Sequence, residues 1–303
     1  MHHPHLLRTV PAALLAAALF GCASEKPPLM VPVTTTSTST ATSTITTPAL
    51  PSLTRAQVEA IVASPDRSAA DRTNDLRRHP VDMLMFIDAR PGWTALDVST
   101  GGGYTTELLA RVVGPTGLVW AQSRPRTPEA ARPAAPEGGA AAPMAAPPSP
   151  PRSAADVLAD RSAHMKDAGV AAAPIAYAAL SFDNPVPPEA VGKLDLVTLM
   201  FNYHDLGWMG ADRASMNRAI FNALKPGGLY VIADHSGRPG TGISESGTLH
   251  RVEEAFVRSE VEAAGFRLLA EGNFLRNPND PRDQNTPTPL QPKDEFVLKF
   301  VKP

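Results

Sequence analysis

Residues 91–109, PGWTALDVSTGGGYTTELL, decide how this chain is read. Positions 94–99 are apolar or small at nearly every place, with Asp97 the exception, which is the pattern of a short buried strand. Gly101, Gly102 and Gly103 follow without side chains. Residues 104–113 then repeat apolar side chains at helical spacing, with Leu108, Leu109, Val112 and Val113 on one side. A strand, a glycine turn and a helix together bring backbone N–H groups up to a ligand at the helix amino terminus. The spacing is not the Gly-x-Gly-x-x-Gly of a dinucleotide site, so the turn by itself leaves the ligand open.

Strand and helix keep alternating on the carboxyl side. Gly114-Pro115 stops the first helix, and 117–122 is the next strand. A capped helix over 153–168 leads to a weak strand at 173–180. LDLVTLMF at 194–201 is continuously apolar, as in a parallel sheet buried on both faces. A helix over 211–224 precedes Lys225-Pro-Gly-Gly and a strand at 229–233, which ends at Asp234-His235. One helix is expected over 248–264, then two closing strands at 266–275 and 295–301. Upstream, Thr54 caps a helix over 55–63, a second covers 71–78, and 81–87 is a third apolar segment. This order predicts an α/β fold: a doubly wound, mostly parallel seven-stranded Rossmann-like sheet whose closing strands form an antiparallel edge hairpin.

Much of the chain lies outside that core. Of 303 residues, 28 are Lys or Arg and 30 are Asp or Glu, a balance that points away from nucleic acid and acidic membrane surfaces as partners. Residues 1–22 read as a targeting segment: Arg8 and His2, His3 and His5 precede an apolar run too short to span a bilayer. That run ends in Leu19-Phe20-Gly21-Cys22, which resembles a bacterial lipobox. Cys22 is the sole cysteine of the chain, so a lipidated Cys22 is preferred over an ordinary signal peptide with a chance cysteine. With Ala23 next, the expectation is a cell-envelope protein anchored on the periplasmic side, at the outer membrane. Residues 23–51, Thr- and Ser-rich, read as a tether, and 52–303 as one domain. Residues 124–152, built largely of proline and alanine, read as a disordered insertion within that domain.

The motifs occur in an order that resembles the class I S-adenosylmethionine-dependent methyltransferases. More narrowly, they resemble predicted bacterial methyltransferases with a Gly-Gly-Gly-Tyr-x-Thr turn. The resemblance rests on that turn, Asn202-Tyr203-His204-Asp205, Leu224-Lys-Pro-Gly-Gly, Asp234-His235-Ser236, Thr248-Leu-His-Arg and the Phe-Val-Leu-Lys-Phe run at 296–300. It implies S-adenosyl-L-methionine as cofactor and methyl transfer to a small or medium acceptor. It further implies that Asp97, Ser99, Gly101, Gly102, Gly103 and Tyr104 line the methionine end, with Asn202 nearby. Ser99 stands where the family's first motif glycine is expected. Gln122 stands where an acid grips the ribose hydroxyls, and its amide can still hydrogen-bond a diol. Asp183 either faces the adenine or caps a turn with Asn184 and Pro185.

Ligands of open α/β sheets sit at the carboxyl ends of the strands, where His204 and His235 fall. His204 is the candidate general base for methyl transfer, oriented by Asp205 or Asp234, with His235 beside it. The alternative is that each His-Asp pair tethers its own loop. A metal held by His204, His235 and His250 finds no support in their spacing, since no two lie three or four apart on one helix. Two other readings of the whole remain: a non-catalytic lipoprotein that retains the fold and binds a ligand or partner, and an isoaspartyl-type protein methyltransferase.

Overall fold

The computed structural model describes residues 51–125 and 152–303. The readings placed on Cys22, the tether and residues 126–151 of the insertion lie outside the described residues.

Three helices come first: α1 (Arg55–Val62), α2 (Ala69–Arg78) and α3 (Pro80–Ile87). Thr54 closes a full capping box on α1, its hydroxyl accepting from the Gln57 N–H while the Gln57 side chain accepts from the Thr54 N–H. Pro80 opens α3 at N1, where its missing N–H is harmless, so the apolar 81–87 segment is helical. Then follow β1 (Thr94–Val98), α4 (Tyr104–Val113), β2 (Leu118–Ser123), α5 (Ala154–Asp167), β3 (Ile175–Ala179) and β4 (Leu194–Met200). The remainder comprises α6 (Asp205–Trp208), α7 (Arg213–Ala223), β5 (Leu224–His235), α8 (Ser246–Leu249), α9 (Glu254–Ala263), β6 (Arg267–Gly272) and β7 (Glu295–Val301).

The strands form one seven-stranded sheet in the order β3-β2-β1-β4-β5-β7-β6. The pairs from β3 across to β5 are parallel. Only β7 runs against its neighbours, lying between β5 and β6. The edge hairpin is therefore present, but its second strand is the inner one. Alternation along the strands sorts the core into two layers. Leu96, Val98, Val197 and Ile232 pack with α7 and α9 through Met216, Ile220, Val257 and Val261. Ala95, Leu196, Val231 and Val297 pack on the other face with α3 and α4 through Leu84, Ile87, Leu109 and Val112. No helix among the described residues is long and apolar enough to cross a membrane.

One sequence expectation fails in an informative way. The single helix over 248–264 is two, broken between Leu249 and Glu254. His250 takes a left-handed conformation (φ +50°), and Val252 N–H donates to His235 C=O, so the backbone there pairs with the end of β5. Arg251 is fully buried: its guanidinium pairs with Asp280 at 2.9 Å and donates to Ser236 C=O and Gln284 C=O. These bonds outweigh the helical ones lost over the break. Arg251→Leu is expected to destabilise the protein by about 3–5 kcal/mol, because it leaves the Asp280 carboxylate buried without its cation. Urea denaturation monitored by circular dichroism measures this.

Candidate functional site

The glycine turn lies at the carboxyl end of β1, between β2 and β4. Thr100 N–H donates to Gln122 C=O and Gly103 N–H to Thr100 C=O, which reverses the chain before α4 starts. Gly101 and Gly103 hold positive φ values of +51° and +79°. A Cβ on Gly103 would lie 2.8 Å from Leu158 and 2.9 Å from Arg161, so this glycine is dictated by space as well as by conformation. Ser99 is also left-handed, at φ +61°. The turn thus keeps the backbone of the expected glycine with a side chain attached, a strain of about 1–2 kcal/mol.

Above the turn is a cleft of about 340 Å³, within the range of small-molecule sites. Its floor is Ser99, Thr100, Gly101 and Gly102, one wall is Asp71, Asn74 and Arg78 of α2, and the other is Met200, Phe201 and Asn202 at the end of β4. Six of the residues expected at the cofactor line it: Asp97, Ser99, Gly101, Gly102, Tyr104 and Asn202. The α2 wall carries no motif of its own, and sequence reading missed it. It is held in place by Arg161 of α5, which binds Asp71 at 2.6 Å and Glu107 of α4 at 2.5 Å and donates from Nε to Gly102 C=O. Tyr104 donates its hydroxyl to Asp75 of α2, and the Arg78 guanidinium stacks 3.5 Å over the Phe201 ring. Phe201 is itself left-handed (φ +58°), which is unusual for a bulky residue.

Asp97 is buried and accepts hydrogen bonds from the hydroxyls of Thr106 and Thr198. Burial pushes its carboxyl up to about 6 against the pull of those two bonds.

Three expected roles change. The Gln122 amide is fully buried, its oxygen accepting from Ser99 N–H and its nitrogen donating to Leu180 C=O. It braces the turn against the end of β3 and does not line the cleft, so the ribose-binding role is withdrawn. Asp183 likewise lies off the cleft and accepts from Asp212 N–H, so it ties together two loops. His204 does not suit a general base. Its side chain is fully buried, with Nδ1 2.6 Å from Asp234 and Nε2 3.2 Å from Asp205. Burial disfavours the imidazolium, but the two carboxylates outweigh it and push His204 up to about 10, so it already carries its proton at neutral pH.

Asp234 is the hub of this region. Its carboxylate accepts from the His204 backbone N–H, the His204 ring and the His235 N–H, binding the end of β4 to the end of β5. His235 stands over His204, with ring centroids 5.3 Å apart, and its Nδ1 lies 2.9 Å from Glu295 of β7. Asp205 accepts from Asn202, Trp208 and His250. Burial opposes the charge on Asp205, yet the donors around it, His204 foremost, hold its carboxyl down at about 2. A second cavity, of about 300 Å³, is lined by His235, Arg77, Thr286 and Leu290 and shares Asn74 with the cleft.

No family model matches the chain, and no curated protein does. Among solved structures it is similar to a SAM-dependent methyltransferase from Aquifex aeolicus (TM-score 0.49, 15% identity, 83% of this chain and 100% of that one). It is also similar to a chain of the complex between the Haloferax volcanii Trm112 methyltransferase activator and the putative methyltransferase (0.47, 17%, 82% and 97%). A further similar structure is the cyclase SpnF (0.47, 14%, 84% and 98%). Likenesses of this degree assign neither family nor activity; the architecture rests on the strand order itself.

Two outcomes follow from the geometry of the turn. Ser99→Gly should raise stability by about 1 kcal/mol by relieving the left-handed strain, measured as a shift in urea midpoint. The folded-state value of Asp97 lies above its unfolded one, so ionisation counts against the fold. Its contribution is largest below the ordinary aspartate range and is lost as pH rises through about 6. Wild type should therefore lose stability relative to Asp97→Asn between pH 5 and pH 8, on the order of 1–1.5 kcal/mol. Parallel pH series of denaturation would show no such divergence if the carboxyl were solvated.

Proposed function

We propose that this protein transfers a methyl group from S-adenosyl-L-methionine to a small or medium acceptor. The observation that carries the reading is the cleft at the carboxyl ends of β1 and β4, floored by the glycine turn. The lining fits the methionine end of that cofactor. A Cβ on Gly101 meets no atom closer than 3.9 Å and one on Gly102 none within 4 Å, so the backbone there is open to close approach. Carboxylates (Asp71, Asp97) and guanidiniums (Arg78, Arg161) line the same space, as an amino-acid zwitterion requires.

When bound, the cofactor supplies the electrophilic methyl group. The chain's own residues bind and orient. Asp97 would take the ammonium, Arg78 would face the carboxylate, and Tyr104 and Phe201 would close the sides. In-line displacement needs alignment above all, so this positioning accounts for most of the rate. The acceptor is expected in the second cavity beside His235, which meets the cleft at Asn74. A second reading, a ligand-binding descendant without catalysis, is favoured by one observation: the candidate base His204 is fully buried between the carboxylates of Asp234 and Asp205. We further propose that Cys22 carries the lipid that holds the protein at the envelope, on the periplasmic side of the outer membrane.

Isothermal titration of the purified protein with S-adenosylmethionine and with its demethylated product tests the main reading. Binding of both, with affinity rising as pH passes upward through about 6 and Asp97 becomes ionised, is the expected result. No heat with either ligand in folded protein would sink it, while binding without turnover on any acceptor would select the second reading. Gly103→Ala should weaken binding by about tenfold or more, since its Cβ meets Leu158 and Arg161. Cys22→Ser should release the protein from the membrane fraction; unchanged fractionation would reject the anchor.

A further inference from the structure

The break between α8 and α9 has a chemical result. It turns His250 out of the helix and sets its Nδ1 3.1 Å from Asp205 Oδ1. From the other side, His204 Nε2 lies 3.2 Å from the same oxygen. These three ligand atoms, from a loop after β4 and a loop 45 residues later, all lie within 4.8 Å of one another. We infer that His204, Asp205 and His250 form a binding site for a divalent transition metal, Zn(II) being the best fit to two imidazoles and one carboxylate.

The geometry supports a metal in three respects. First, nitrogen and oxygen ligands at about 2.0–2.1 Å from a tetrahedral ion are about 3.3–3.4 Å from each other, close to the two separations seen here. Second, His204 is oriented in the way metal-bound histidines are. Its Nδ1–H donates to the buried Asp234 carboxylate at 2.6 Å, which leaves Nε2 as the ligating nitrogen and fixes the ring plane. Third, the carboxylate is held from outside the cluster: Asn202 donates to Asp205 Oδ2 at 2.9 Å and Trp208 Nε1 to Oδ1 at 2.8 Å. An aspartate that only paired with histidine would not need both.

Access is also graded as an entry path requires. His204 is sealed, Asp205 is 17% exposed and His250 is 34% exposed, so an ion reaches the cluster from the His250 side. Three protein ligands leave a fourth position for water or another oxygen or sulfur donor, the arrangement of reactive metal sites and not of purely structural ones. Asn202 belongs both to this cluster and to the cleft wall, which puts the metal one hydrogen bond away from the cleft.

The test uses metal-free full-length protein titrated with Co(II), whose visible absorption reports its coordination, followed by competition with Zn(II), all without S-adenosylmethionine. One equivalent should produce the intense bands of a low-coordinate site, and Zn(II) should abolish them. His250→Gly removes the imidazole at a φ that glycine adopts freely, so the fold should persist, as circular dichroism can verify. This variant and Asp205→Asn should each weaken Co(II) binding by about 100-fold or more, and Asp234→Asn by about 10–100-fold. Absence of the bands in wild type overturns the site. So do bands that survive undiminished in folded His250→Gly, since they would belong to other ligands such as the amino-terminal histidines. Neither result depends on whether S-adenosylmethionine binds.

Discussion

The cleft exists because of one arginine. Arg161 reaches from α5 to Asp71 on α2, to Glu107 on α4 and to the carbonyl of Gly102 in the turn before it, so three segments distant in sequence share a single guanidinium. Its planar fork can satisfy such a set of acceptors at fixed angles, which a lysine could not. The network continues on the far side of Glu107 through Arg111 to Asp66, before α2. Without it, α1 and α3 would still pack through Val58, Met83, Leu84 and Ile87, but the α2 wall would lose its ion-pair tie to the turn. Buried ion pairs of this kind contribute modestly to net stability. Their effect here is geometric, since they set the width of the cleft.

A second buried charge organises the opposite side. Asp234 gathers the ends of β4 and β5 with three accepted bonds, and the motifs Asn-Tyr-His-Asp and Asp-His-Ser meet at this carboxylate. The two loops are cross-tied, so the reading in which each His-Asp pair serves its own loop is too local. A histidine held between two carboxylates binds its proton too tightly to serve as a base near neutral pH. It is, however, the kind of histidine that a metal ion can claim in place of its proton. This corner therefore suits the cation inferred above better than it suits a base.

The centre of the sheet was legible in the sequence because its inner strands are buried on both faces and carry apolar runs, as at 194–201. The floor of the cleft was legible because glycines have few other uses at that spacing. The α2 wall was not. Asp71, Asn74 and Arg78 look like any polar helix face, and their role depends on Arg161, whose sequence signal is nil. Gln122 and Asp183 were assigned by their place at strand ends, but each satisfies its hydrogen bonds with neighbouring backbone instead. His250 was hidden inside an apparent helix, because the burial of Arg251 that interrupts it is set by Asp280, 29 residues further on.

The position of β7 bears on how the protein is made. Because β7 runs between β5 and β6, strand β6 has no neighbour to pair with until β7 has followed it in the chain, and β5 keeps an open edge for the same interval. An exposed edge such as the apolar 229–233 run of β5, waiting beside a nascent chain, is a template for association with other chains. Residues 277–292, which separate the two strands, lengthen that interval. The same stretch later contributes Leu290 and Thr286 to the second cavity. The segment that lines the second cavity is thus also the one that prolongs the most vulnerable moment of folding.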